Sequence, residues 1–482
     1  MVEPLEVRGF RRTDHKLLIA ASALVCWIGL TAACQLVFPD SLQGIYLGLA
    51  IAFAIGSFAL VRRPHVILLM LLIYLASPTP IILDLPFSAA AAAIMIANCA
   101  LGAAMTGAMR RPPFLGWIAW TIMGAIAVCM VGYSVLQGNQ LQYVVGDLYQ
   151  FLEFGALFFL TSVVVRSPEQ WRLTAYALVG SVVATCMVQF SDALLGADYL
   201  PHLAQAGVDV PRTINMNAPI AFMVLLALLV VSSRRRKFLL FWILPVAGNL
   251  LLGFTRGVWL ATFFSAVFFL FLQERKTRRK MIASALAATL LVSMAAFIGL
   301  VITSTNILQV VQQRVLYSVT QFESASDEEE LAGRRIIELL LVGSQVGKHP
   351  FIGHGLGSTY EIAGDAVLEG PKGATVDHHY IHNLYLMIAF RLGIPALLVF
   401  LWMLWRYLRR AHRVWKSAKL PRNDSAVTAA LISVVFGEIF LSFTSPTLFN
   451  HPTAAIIGAI MALTLLVSQI TPRTLQTAQS SN

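Results

Sequence analysis

Five of the ten histidines fall in residues 303–382, and the last of them stands where the chain turns apolar. These are His349, His354, His378, His379 and His382, and from Asn383 the sequence stays apolar for about a bilayer-crossing length. An imidazole titrates near neutrality, so His382 at a wet membrane surface has the chemistry of a general base; an interfacial hydrogen-bonding anchor is the plainer alternative. His378 and His382 have the spacing of a zinc pair, but neither an HExxH pattern nor a nearby cysteine accompanies them, so no metal is expected.

Three arginines have the setting of an anion site. Arg256 lies between two apolar runs in GFTRGVWLA, where a guanidinium anchors to headgroups or presents its planar fork to a phosphate. Arg334 and Arg335 are adjacent on an expected amphipathic helix over 329–347, whose apolar positions are Leu331, Leu339, Val342 and Val346. Arg334 has Glu330 and Glu338 four residues away on either side and is expected to be held by them. Arg335 has Leu331 and Leu339 there, so its charge emerges along the apolar edge and makes it the better phosphate ligand. Arg212, in a loop over 195–216 with Asp198 and Asp209, joins the substrate-binding candidates. Arg391 and Glu438 sit inside apolar runs at similar depth, and the expectation is a structural ion pair. Gly353, Gly355 and Gly357 of GHGLGS lack the strand–helix unit of a dinucleotide fingerprint and fit a tight loop beside the site.

The elements that must position these residues are read from hydropathy. The chain has 482 residues, a mean hydropathy of +0.74 and 12% charged residues, about half the fraction usual in a soluble protein. Apolar runs over 16–38, 44–61, 65–83, 88–108, 114–136, 143–165, 172–194, 217–233, 238–254, 257–273, 281–302, 383–405, 426–444 and 453–471 predict an all-α polytopic membrane protein of about 12–14 spans. The runs are too long for a β-barrel, and no cleaved signal peptide is expected. The net charge of +11 is concentrated in short connections: Arg62 and Arg63, Arg110 and Arg111, Arg234 to Lys237, Arg275 to Lys280, Arg406 to Lys419. These alternate with less basic connections, the positive-inside pattern, so the charge is topogenic and no nucleic-acid partner is expected. Both termini are then cytoplasmic, and the long segment 303–382 lies outside as one large periplasmic loop. The five cysteines all fall in apolar runs without CxxC spacing and imply neither disulfide nor metal. The divisions expected are an N-terminal bundle over 1–215, membrane helices over 216–302, the loop 303–382, C-terminal helices over 383–472 and a tail over 473–482.

Several elements together resemble the O-antigen ligase and O-antigen polymerase superfamily. HNLYLMIAFRLG over 382–393 is similar to its H-[NSQ]-x9-G signature, and PFIGHGLGS over 350–358 to its P-x-x-G-x-G-x-G loop. GRR at 333–335, TRG at 255–257 and MNAPIAF at 216–222 resemble further family elements in the same order. The resemblance spans roughly 215 to 400. It implies a glycosyltransferase of the inner membrane, acting on the periplasmic face on a glycan carried by undecaprenyl pyrophosphate. The lipid bilayer and that donor are the implied partners. The acceptor is lipid A–core for a ligase, the reading preferred, or another lipid-linked glycan for a polymerase. His382 takes the family's catalytic position, and Arg256 and Arg335 its phosphate-neutralising positions. Arg334, Asn383, Arg212 and the three glycines stand with them as substrate contacts, and no cofactor is implied. A lipid-linked glycan flippase is the alternative from another class. It would place charges near the midplane in repeated halves, whereas here they gather at one mouth and no halves repeat.

Overall fold

The computed structural model describes residues 42–77, 85–107, 116–195, 216–231, 236–252, 256–275, 278–279, 329–363, 375–418 and 420–470. Among these residues it is an all-α polytopic membrane protein with thirteen helices and one short hairpin. Five helices are long and apolar enough to cross a membrane, and seven shorter ones are also apolar. In chain order the helices before the loop are α1 (Leu42–Ala59), α2 (Pro64–Ala76), α3 (Leu85–Met105), α4 (Gly116–Leu136), α5 (Leu141–Val164), α6 (Pro168–Leu195), α7 (Ala218–Val231), α8 (Arg236–Leu252) and α9 (Arg256–Leu272). The loop contributes α10 (Glu329–Lys348) and an antiparallel pair, β1 (Tyr360–Ala363) and β2 (Thr375–His378). Then come α11 (Leu384–Ser417), α12 (Arg422–Leu441), a 3-10 turn (Thr447–Phe449) and α13 (Thr453–Ile470).

Twelve of the fourteen runs expected from hydropathy coincide with these apolar helices; the runs 16–38 and 281–302 lie outside the described residues. The run 65–83 yields a helix only to Ala76, where the Ser77 N–H closes on the Ile73 and Tyr74 carbonyls. The bundle packs where small residues let backbones approach, as expected when lipid offers no hydrophobic advantage to leaving it. On α13, Gly458 lies against the Phe154 carbonyl of α5, and on α12 Gly437 lies against the Ala261 carbonyl of α9.

The break in α11 builds the site's floor. Gly393 has φ +86, which its lack of a Cβ permits, and Pro395 lacks the N–H that would bond the Arg391 carbonyl. A broken helix inside a membrane protein must find other partners for its freed groups. The glycine loop supplies three of them. Gly355 N–H donates to the Arg391 carbonyl (3.0 Å), His354 N–H to the Phe390 carbonyl (2.7 Å), and Ile394 N–H to the Pro350 carbonyl (2.7 Å). A side chain at 393 would collide with the Phe351 carbonyl. The final glycine of the His–Asn–x9–Gly pattern is therefore the seat of the loop, nine residues below the helix start.

Candidate active site

His382 sits just before α11 with its side chain 42% exposed. Asn383 caps the helix, its Oδ1 accepting from the Leu386 N–H at 3.0 Å. The Leu384 N–H donates to the Ser442 carbonyl at the end of α12, so the mouth of α11 is tied to its neighbour.

Glu338 of α10 grips His382 twice. Its Oε1 accepts the His382 main-chain N–H and its Oε2 pairs with Nδ1, both at 2.7 Å. An ionised carboxylate only accepts, so Nδ1 is the donor of this contact, and in the neutral ring the lone pair falls on Nε2. Among the described residues Nε2 has no hydrogen-bond partner, and the Tyr380 ring stands edge-on to the imidazole at 4.9 Å. Glu338 is itself buried, with the Tyr360 hydroxyl against it. Burial first, and then the charge and hydrogen bond of Glu338, push the Tyr360 hydroxyl above its ordinary value, so it stays a donor. The Tyr380 carbonyl, 3.2 Å away, is a second acceptor for the same proton. A carboxylate that orients a partly exposed imidazole in this way gives it the geometry a general base requires.

This changes the reading of α10. The helix forms almost over the expected residues, but its buried face carries Glu338, Val342 and Val346, while Leu339 and Leu340 are exposed. Glu338, expected on Arg334 through i+4 spacing, is committed to His382 across forty-four residues of sequence.

The expected Arg391–Glu438 ion pair is also corrected. Arg391 Nη1 instead pairs with Asp147 Oδ1 of α5 at 2.6 Å, both side chains almost fully buried. Glu438 accepts from the Thr447 hydroxyl at 3.0 Å, and its other oxygen has no hydrogen-bond partner among the described residues. Similar depth was the basis for pairing them, but depth does not fix which helix a side chain faces.

Asp147 is the residue that the sequence reading missed. Its Oδ2 accepts the Gly357 N–H at 2.6 Å, and its Oδ1 lies 3.2 Å from His379 Nε2 besides holding Arg391. Arg391 Nη2 in turn donates to the His379 carbonyl at 2.8 Å, and the His379 ring stacks on Tyr143 at 4.3 Å. One buried acid thus fastens the glycine loop, the broken helix and the strand exit leading to His382. Its signal was available: an acid inside an apolar run demands a partner.

Gly353, Gly355 and Gly357 are buried against Arg391, Ser134 and Val144 respectively. A Cβ at Gly357 would stand 2.6 Å from the Val144 nitrogen, and φ there is +70. The structure gives these glycines to packing, so they shape the site from behind. Loop residues Phe351 and Ile352 are exposed at its rim. Arg256 begins α9, and Arg334 and Arg335 lie on α10; their side chains, and all of Arg212, are outside the described residues.

A second buried chain of polar groups runs Ser88–His451–Glu153. The Ser88 hydroxyl is 2.8 Å from His451 Nε2, and His451 Nδ1 is 2.8 Å from Glu153 Oε1. Its members are buried throughout, and it joins α3, α5 and the turn before α13. Among the described residues no group of His, Cys, Asp and Glu is arranged to hold a metal ion.

Comparison with curated proteins gives no match. Residues 239–401, from α8 through the loop to the middle of α11, match the family model described as O-antigen ligase. That stretch contains Arg256, Arg335, Glu338, the glycine loop and His382, and over these residues the chain matches a domain of the O-antigen ligase family.

Proposed function

We propose that the protein transfers a glycan from undecaprenyl pyrophosphate to an acceptor hydroxyl on the periplasmic face of the inner membrane, with lipid A–core as the acceptor. The observation that carries this reading is the His382–Glu338 pair at the mouth of α11. His382 Nε2 takes the proton of the acceptor hydroxyl; the oxygen attacks C1 of the donor sugar; the bond from C1 to the pyrophosphate oxygen breaks, and undecaprenyl pyrophosphate departs. One displacement inverts the configuration at C1. Glu338 balances the charge that His382 acquires.

Pyrophosphate is a competent leaving group, so the reaction needs chiefly cations on its developing charge. Arg256 and Arg335 are the residues proposed for this, without a metal ion. Position 335 lies three residues before Glu338 and seven before Val342, the spacing of one helix face, which supports Arg335 over Arg334. Arg212 and Asn383 remain proposed substrate contacts.

The test is the glycan profile of a deletion strain complemented with His382→Ala or the wild-type chain. Ligation onto lipid A–core predicts core without O-chain in the variant, with a loss of roughly 10²–10⁴-fold in turnover, the scale of a general base. Core bearing one repeat would transfer the assignment to polymerisation. Wild-type profiles at normal abundance of the variant would remove His382 from the mechanism. Loss of wild-type turnover on chelation would overturn the metal-free reading.

A further inference from the structure

The far end of α11 is built for a different partner from the near end. The helix runs on past its break at Gly393 to Ser417, and at about 1.5 Å per residue its two arms together carry Arg406 up to roughly 33 Å from Leu384. The hydrocarbon core of a bilayer is about 30 Å thick, so with Leu384 at one surface Arg406 reaches the other. The helix's rotation there is fixed, because Met403, Leu404, Tyr407 and Ala411 are buried in the bundle. The opposite stripe is exposed and changes character along its length. It begins apolar with Leu398 and Leu401, passes through Trp402 and Trp405, and continues as Arg406, Arg409, Arg413 and Lys416.

Three features make this stripe more than a solvated helix end. No Asp or Glu occurs between residues 398 and 420, so its charges have no local counterion on their own helix. The adjoining acid, Asp424 at the start of α12, is held by Arg172 through Nε (2.9 Å) and Nη2 (2.8 Å). The tryptophans also pre-set the guanidiniums: Arg406 lies 5.6 Å from the Trp402 ring centroid and Arg409 5.7 Å from that of Trp405. Each arginine is thereby laid along an indole face and held near the helix surface, at the height where the apolar stripe ends.

We propose that this stripe binds the phosphates of anionic phospholipids in the leaflet opposite the His382 mouth. The tryptophans sit among the acyl carbonyls, and Arg406, Arg409 and Arg413 take headgroup phosphates, for which a guanidinium fork is suited. The contact anchors the long helix whose other end holds His382, and it needs neither donor nor acceptor glycan.

The full-length protein in neutral detergent, offered equal phosphatidylglycerol and phosphatidylcholine, is read by native mass spectrometry for the lipids it retains. The wild type is expected to keep phosphatidylglycerol in preference. The variant Arg406→Gln/Arg409→Gln/Arg413→Gln is expected to lose that preference by at least about tenfold, given roughly fivefold per basic residue near a charged surface. Raising salt from about 0.15 M to about 1 M on the wild type shortens the screening length and should weaken the preference without any substitution, which keeps the test decisive if the variant misfolds. An equal lipid ratio on the wild type overturns the proposal and assigns the stripe to an acidic protein segment. Unchanged selectivity in the folded variant, or in high salt, overturns it as well.

Discussion

Asp147 and Glu338 divide the work at the residue scale: one holds the ground on which the candidate site stands, the other orients His382. Asp147 and Arg391 are both nearly excluded from solvent, so losing one leaves the other charge stranded. Asp147→Asn is expected to destabilise the protein by about 3–5 kcal/mol, the usual cost of breaking a buried pair. Thermal unfolding in detergent measures this, and a variant within error of wild type would show that the pair contributes nothing. The arginines are distinguished by function. Arg256→Ala and Arg335→Ala should each reduce glycan transfer by roughly 10²–10³, as for the loss of one donor to a developing anion. Arg334→Ala should cost much less, and lysine at 335 should rescue only in part because it lacks the fork. A larger loss at Arg334 in a reconstituted transfer assay would move the phosphate contact to that residue.

At the scale of elements, the glycine loop and the broken α11 form a single unit with a built-in pH dependence. His354 stacks on Phe390 at 4.6 Å and its ring donates from Nε2 to the Gln345 carbonyl at 3.1 Å. Burial, followed by repulsion from His349 and Lys348, holds it below the ordinary histidine value, against the opposing pull of that carbonyl. The unfolded loop therefore binds a proton that the folded loop refuses, so its stability is full above the ordinary histidine range and falls as pH drops through it. Hydrogen-exchange protection factors at residues 350–358, each taken against the intrinsic rate at that pH, should fall between about pH 7.5 and about pH 5.5, which bracket the ordinary histidine pKa. His354→Phe keeps the stacking and should flatten that change; an unaltered pH dependence would exclude His354 as its source. The apolar helices and α10 were legible because hydropathy and helical spacing are local. The hairpin was not, since its strands are four residues each. The Glu338–His382 and Asp147–Arg391 pairs were hidden for another reason: i±4 spacing and depth along a span carry no information about contacts between distant helices.

On the whole molecule, the proposed orientation has a direct check. In a cysteine-free background, Phe351→Cys at the rim of the site should label from the periplasmic side with an impermeant maleimide. Ser417→Cys at the far end of α11 should label only after permeabilisation. Both side chains are exposed on the protein surface. The reverse result would invert the topology and place the His382 mouth in the cytoplasm. The same alternation of basic connections that predicts this orientation also predicts that the stripe proposed to bind lipid lies on the opposite surface.

The segment matched to the ligase family cannot be lifted out and transplanted freely. Residues 239–401 include Arg391 and Gly357, but the carboxylate that satisfies both comes from residue 147, outside the match. A chimera that grafts this segment onto a foreign N-terminal bundle inherits a guanidinium in the membrane interior and must find an acid at the corresponding height on the neighbouring helix. The N-terminal helices, Asp147 included, thus limit which donor domains they can accept.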